Sequence, residues 1–162
     1  MAEFGRGIKA GVVSGIIFGI IYGIIVAIIV AALWNTIVTT TVTGVTSTDI
    51  AALVPFLIIG GLIGGIIVGI IGGIIFGLIY AAVYKSLPGS TSIKKAMVLA
   101  LLFWVILELG LGYSSIAGYG VYYYVVVNVV LGLIISLIWG YLLGVFWDKF
   151  GSKQQPQTPE GV

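Results

Sequence analysis

The sequence has no cysteine and no histidine, and of its 162 residues only 7% are charged. Without cysteine there is no disulfide, no thiol nucleophile and no thiolate metal site, and redox compartment leaves no trace. Without histidine the commonest metal ligand and proton shuttle is missing as well. Soluble globular domains carry roughly 25% charged residues, so water is the wrong solvent for a chain that is 60% hydrophobic. No phosphate-binding loop, metal-ligand cluster or nucleic-acid module can be found. The residues therefore point to no cofactor, no metal and no nucleic-acid partner. The formal charge of +2 comes from a few lysines and arginines placed to meet anionic lipid.

What the chain does have is long apolar sequence. Runs at approximately Ile8 to Trp34, Leu53 to Tyr84, Ala96 to Tyr113 and Val121 to Trp147 are each long enough to cross a hydrocarbon layer of about 30 Å, which takes roughly 20 helical residues. The expected fold class is an all-α membrane protein, a glycine-striped bundle of four transmembrane helices within residues 1–150. The remaining tail, 151–162, reads GSKQQPQTPEGV and is expected to be disordered in the cytoplasm. The opening MAEFGRGIK followed by an apolar run imitates a secretory signal. That run extends about 25 residues, past the usual 7–15 of a signal core, so an uncleaved first helix is expected.

Every lysine and arginine lies in the first tail (Arg6, Lys9), the second connection (Lys85, Lys94, Lys95) or the last tail (Lys149, Lys153). Basic residues near helix ends stay on the cytoplasmic side, which places the chain in the cell membrane with both termini expected in the cytoplasm. Of the two connections assigned to the opposite face, NTIVTTTVTGVTSTD is rich in β-branched residues around Gly44 and suits extended chain or a small hairpin. The other, GYSSIAGYGVYYY, crowds tyrosines at the depth where rings with one wet end are favoured. In the basic connection KSLPGSTSIKK, Pro88 and Gly89 stop one helix, and Ser90, Thr91 or Ser92 caps the next.

Small residues recur every fourth position. The first helix carries Gly7, Gly11, Gly15, Gly19, Gly23, Ala27 and Ala31, and the second Gly61, Gly65, Gly69, Gly73, Gly77 and Ala81. Gly132, Ser136, Gly140 and Gly144 form a third stripe on the fourth helix, and the third helix is read as having none. Glycine costs roughly 1 kcal/mol against alanine inside a helix. Close backbone approach compensates, because helices in lipid associate through packing and small residues bring their axes together. Two such rows are expected to cross at about −40 to −50°. Gly60, Gly64 and Gly72 give the second helix another small face, available to a further helix or a second copy. The segments GVVSGIIFGIIYG from Gly11 and GIIGGIIFGLIYA from Gly69 are also alike. Since these helices cross in opposite senses, they compose either a repeat of opposed topology or the similarity of two low-complexity runs.

Glu108 is the only acid or base well inside an apolar run, and Asn128 matches its depth, each ten residues from Gly118. An ionised carboxylate at that depth costs several kcal/mol, which favours the protonated acid. Asn128 lies on the row Tyr124, Asn128, Gly132, Ser136, Gly140, Gly144. An interhelical bond between Glu108 and Asn128, with Tyr124 or Trp104 nearby, is the most specific structural expectation. Its roles divide between joining two helices and holding an ion or proton. No acid and base are paired within the spans, and Ser114 and Ser115 lack a basic partner, so catalysis is not expected.

The stretch FGLIYAAVYKSLPGSTSIKKAMVLALLFW resembles segments of small uncharacterised prokaryotic and archaeal membrane proteins, a resemblance that implies four membrane helices and no particular activity. In outline, with four helices, abundant glycine and one membrane glutamate, the chain is also similar to the double-hairpin proteolipids of rotary ATPase rings. That family's ion-binding carboxylate lies in the second helix of a hairpin, whereas Glu108 falls in the third helix here and Asn128 in the fourth. The proteolipid role is therefore not carried over.

Two functions follow as expectations. The leading one is a non-enzymatic membrane protein acting as a homo-oligomer, or as a small subunit or assembly factor of a larger membrane complex. The alternative is a channel or carrier for a small solute, proton or cation using Glu108. A polar path leading from Glu108 favours transport, and glycine faces turned outward from a dry core favour a subunit. Orientation is directly testable because the chain has no native cysteine. Cysteines placed at Ser90 and Ser152 should be shielded from an impermeant thiol reagent in intact cells, and one at Thr46 should label. Labelling at Ser90 but not at Thr46 would invert the topology.

Overall fold

The computed structural model describes residues 2–41 and 47–151. These residues are helical throughout apart from one turn, and no strand occurs among them. Helix α1 spans Ala2–Thr41 and α2 spans Ser47–Val83. Helix α3, Ser92–Phe103, continues as a π-helical segment, Trp104–Gly110, and a 3-10 turn, Leu111–Ser114. Helix α4, Ser115–Tyr123, is bent at Gly120, runs into a second π-helical segment, Tyr124–Leu131, and continues as α5, Gly132–Gly151. Four helical stretches are long and apolar enough to cross a membrane: Glu3–Ile28, Ile58–Val83, Ser92–Gly118 and Gly120–Gly151.

The first connection departs from expectation. Asn35 to Thr41 continue α1, and Ser47 to Asp49 open α2, where extended chain was anticipated; Gly44 itself lies outside the described residues. The physical reason is cooperativity. Each residue added to an existing helix gains a hydrogen bond without a new nucleation cost, and that outweighs the few tenths of a kcal/mol by which threonine and valine disfavour helix.

Helices α1 and α2 form an antiparallel hairpin whose seam is backbone against backbone. A Cβ added at Gly11, Gly15 or Gly19 would collide with the carbonyl of Gly73, Gly69 or Gly65 respectively, and Gly7 stands in the same relation to Gly77. The collisions are reciprocal, since a Cβ at Gly69 or Gly73 would strike the Gly15 or Gly11 carbonyl. Toward the far end the seam relaxes: Gly61 would meet only Val26 Cγ1, at an ordinary 3.7 Å. Gly60 and Gly64 have open space beside them, and Gly72 faces Trp139 at 3.8 Å.

The second hairpin pairs α3 with α5. A Cβ at Gly140 would press on Ala100 Cβ at 2.8 Å and the Ala96 carbonyl at 3.0 Å, and one at Gly144 would press on Ile93 Cα at 2.5 Å. The third helix thus has a small row after all, Ser92, Ala96 and Ala100, and it receives the glycines of α5. These contacts correct the expectation from the sequence that the third helix has no small row.

Both hairpins are fastened at the end that carries Arg6, the 85–95 turn and Lys149. There Ala10, Tyr80, Ala96, Leu143 and Trp147 are buried at one level, contributed by all four spanning helices. Thr91 is the cap of α3, its side chain accepting from the Lys94 amide at 3.2 Å. Lys95 donates to the Tyr84 carbonyl at 2.9 Å and lies 4.4 Å above the Tyr84 ring. Arg6 Nε donates to the Trp147 carbonyl at 2.7 Å while its guanidinium covers the Trp147 ring at 4.4 Å. Its ion pair with Asp148 is long, 3.8 Å, and partly exposed, so the bond and the ring contact matter more than the pairing of charges. Away from this end, Val105 and Ile106 of the third spanning helix are exposed, as side chains facing lipid would be.

The seam predicts a steep contrast between neighbours. Gly19→Leu and Gly73→Leu add bulk where the opposing atoms are backbone and should cost about 3 kcal/mol or more, seen as a large fall in melting temperature. Ile20→Leu and Ile74→Leu conserve volume and should cost less than about 1.5 kcal/mol. Equal tolerance at the two kinds of site would remove the close-packing account.

Candidate functional site

Both polar residues expected deep in the spans lie on π-helical segments. Glu108 belongs to Trp104–Gly110 and Asn128 to Tyr124–Leu131. π-helix is rare and occurs mostly where a helix has a task beyond packing. These two segments face each other across the second hairpin, and three side-chain bonds join them. Asn128 Nδ2 donates to Glu108 Oε2 at 3.1 Å. Trp104 Nε1 donates to the Asn128 carbonyl at 3.1 Å, and the Tyr124 hydroxyl donates to the Leu109 carbonyl at 3.0 Å.

The last two bonds are reciprocal, each sending a side chain from one π segment to a backbone oxygen of the other. Backbone groups in hydrocarbon need partners, and side-chain donors from a neighbouring helix supply them where i→i−4 pairing is interrupted. The bond directions matter for Glu108. With the carboxyl accepting from Asn128, Glu108 need not donate to hold the pair. Ser115 extends the cluster, its hydroxyl 3.5 Å from Asn128 Oδ1. Gly112 and Gly132 make room for it: a Cβ at Gly112 would strike Asn128 Nδ2, and one at Gly132 would lie 3.1 Å from Glu108 Cγ and 3.3 Å from Trp104 Nε1.

Glu108 also lines a cavity of about 290 Å³ between the two hairpins. Aromatic rings from all four spanning helices take part in its walls. Phe18 of α1, Phe76 of α2, Phe103 of α3 and Trp139 of α5 all line it, with Tyr22 and Trp104 beside them. Phe76 meets Trp139 with centroids 3.9 Å apart and Phe103 at 4.1 Å, and Phe18 stacks on Trp139 at 5.3 Å. Phe18 and Phe76 occupy corresponding places in the two similar segments. Because side chains lean toward their own helix N-terminus, and these helices run oppositely, the two rings converge on one indole. Val68, two-thirds exposed, stands at the rim.

The surroundings of Glu108 are one-sided. Toward the bend at Gly120 the polar atoms continue through Asn128 to Ser115. Toward the basic end come the rings around Trp139, and beyond them the buried layer of Tyr80 and Trp147, in edge contact at 4.9 Å. Ser14, wholly buried, is satisfied within α1 by the Gly11 carbonyl at 3.0 Å. Tyr80 donates to the Ser92 carbonyl, and Tyr84 shares a 2.7 Å bond with the Ser92 hydroxyl.

Of the residues singled out from the sequence, Glu108, Asn128 and Tyr124 come together, and Ser136 joins Glu108 on the cavity wall. The seam glycines, Gly11 through Gly23 and Gly65 through Gly77, lie along the first hairpin, with Gly65 and Gly69 also bordering the cavity. Gly132 packs under Glu108, while Gly140 and Gly144 lie further off against α3. The aromatic wall was missed. Its one sequence signal is the shared IIFG motif of α1 and α2, which places Phe18 and Phe76 alike.

Fold and site together define an all-helical protein with four membrane-length helices and a polar cluster in its second hairpin. The chain belongs to DUF6789, a family of unknown function, whose model matches residues 10–158. No match was found among curated proteins or among solved structures.

The Glu108 to Asn128 bond separates two substitutions. Glu108→Gln keeps an acceptor for the Asn128 amide at the same reach, so thermal stability should stay near wild type. Glu108→Leu leaves the Asn128 amide unpaired and should cost about 1–2 kcal/mol. Leucine as stable as glutamine would mean that this bond contributes nothing.

Proposed function

We propose that the protein is a non-enzymatic cell-membrane carrier, both termini cytoplasmic, that binds a small solute, proton or cation at Glu108. One observation carries this reading: the lone acid deep in the spans lines a cavity between two hairpins and is not enclosed by helix packing. A carboxyl kept in a membrane solely to join two helices has no need of a wall position in a space large enough for a ligand. The polar atoms leading from Glu108 toward Ser115 offer an approach from the end of the second hairpin that bends at Gly120. The rings around Trp139 and the packed layer of Tyr80 and Trp147 obstruct the other direction. A carrier that exposes its site to one side at a time fits this arrangement better than an open channel.

The glycine rows support the same reading as scaffolding. As a glycine zipper, the seam of α1 and α2 makes one stiff half against which the second hairpin is free to differ in position. Self-association is the second reading, and it rests on Gly60 and Gly64, which open onto empty space on α2 and suit close approach by a second copy or by another membrane subunit.

Reconstitution into liposomes tests the carrier reading. Wild-type protein should pass protons or a small cation, and Glu108→Gln, folded and equally stable, should lose at least nine-tenths of that flux, on the order of 1.4 kcal/mol or more in barrier terms. Absence of flux for every ion tried, with wild type and glutamine variant indistinguishable, would leave Glu108 a purely structural residue. Native mass spectrometry of the same preparation reads the copy number, and a monomer would remove self-association.

A further inference from the structure

We infer that the cavity beside Glu108 takes an organic ammonium ion, an amine or quaternary ammonium bearing small apolar groups. This rests on the reading of Glu108 as the working residue and names the class of solute it would hold. The argument starts from the wall. A space of about 290 Å³ is lined by the rings of Phe18, Phe76, Phe103, Trp104 and Trp139 and by a single carboxyl. Ring faces are negative at their centres and attract a cation, most strongly when water is excluded and when one ring is an indole. A carboxylate placed among them supplies the full countercharge.

Other occupants fit this wall less well. An anion would meet the carboxyl and the negative ring faces with no lysine or arginine among the lining residues. An alkali or alkaline-earth ion sheds its water only for several oxygen ligands, and the side chains here offer Glu108, Ser136 and Tyr22. A neutral acyl chain would fill the space but gives no reason for an acid within it. An ammonium carrying methyl, ethyl or benzyl groups satisfies both halves of the site at once. Its substituents replace lipid against the rings, and its charge is met by Glu108: in a quaternary ion it is spread over carbon-bound hydrogens that need no acceptor, and in a protonated amine the N–H donates to the carboxylate. The volume sits at the lower end of small-molecule sites, which suits a compact ion. Val68 at the exposed rim marks where the cavity meets the space between the hairpins.

The test uses the full chain in nanodiscs of zwitterionic lipid, which offers cations no anionic surface. Benzyltrimethylammonium is titrated against tryptophan fluorescence beside its carbon isostere neopentylbenzene, each corrected for partitioning into empty nanodiscs. The ammonium should bind saturably and at least tenfold more tightly than the isostere. Glu108→Gln and Trp139→Leu should each weaken it about tenfold, and Val68→Trp, altering only an exposed rim position, should weaken it without loss of thermal stability. Equal binding of ion and isostere, no saturable binding of the ion, or full affinity in folded Glu108→Gln would each overturn the inference. The comparison of ion with isostere in wild-type protein decides even where a variant fails to fold. Saturable ammonium binding without flux of any ion retains this site and removes the carrier reading. Proton flux through Glu108 without ammonium binding does the reverse.

Discussion

The structure depends on backbone meeting backbone along the seam of α1 and α2. Between Gly11 and Gly73, or Gly15 and Gly69, there is no side chain to compress or rotate, so the first hairpin has little freedom to slide or spread. In lipid, where burying apolar surface gives no advantage, such contact is what helix pairing has to draw on. Two consequences follow for the rest of the molecule. Phe18 and Phe76 are held at fixed heights on one stiff element. The larger side chains are displaced from the seam to the outer faces, where Ile24, Ile63, Ile67 and Ile71 are exposed and one flank presents the rings that meet Trp139.

The second hairpin is built on a different rule. Its lower half, nearest the basic turn, packs alanine against glycine in the same spirit as the seam. Its upper half leaves strict α-helix and is joined by directional bonds from Trp104, Tyr124 and Asn128. Hydrogen bonds between membrane helices are individually modest, about 0.6–2 kcal/mol, and they leave more room for adjustment than a carbonyl against a Cα. Stiffness in one half and adjustable bonding in the other is the division that the carrier proposed above would use.

Much of this was legible in the residues. Apolar runs gave the four spans because hydrocarbon admits little else. The fourfold spacing of glycine showed which helix faces were small, and equal distances from Gly118 paired Glu108 with Asn128. What was not legible arose where a weak preference yields to context. The threonines after Asn35 lean toward strand by tenths of a kcal/mol and are overruled by the helix they continue. The π segments leave no compositional mark, since one extra residue per turn changes which carbonyl an amide reaches and not which residues are preferred. The cavity belongs to two hairpins that are distant in sequence, and periodicity within a helix is silent on what stands opposite. Ser92, Ala96 and Ala100 stand four apart but include no glycine, and a short row without one gives little signal until Gly140 and Gly144 are seen against it.

The Arg6 latch has a consequence for the making of the protein. Arg6 and its acceptor, the Trp147 carbonyl, are 141 residues apart in the sequence, so Arg6 is synthesised well before its partner. Each hairpin joins neighbours in the chain and has its partners at hand as soon as its own second helix is complete. The latch, like the ring contacts of Phe18 and Phe76 with Trp139, waits for α5. Until α5 is in place, the Arg6 guanidinium lacks the carbonyl and the ring that satisfy and cover it. Joining the halves is thereby tied to completion of α5, so that a product cut before it would hold a formed first hairpin and an open clasp.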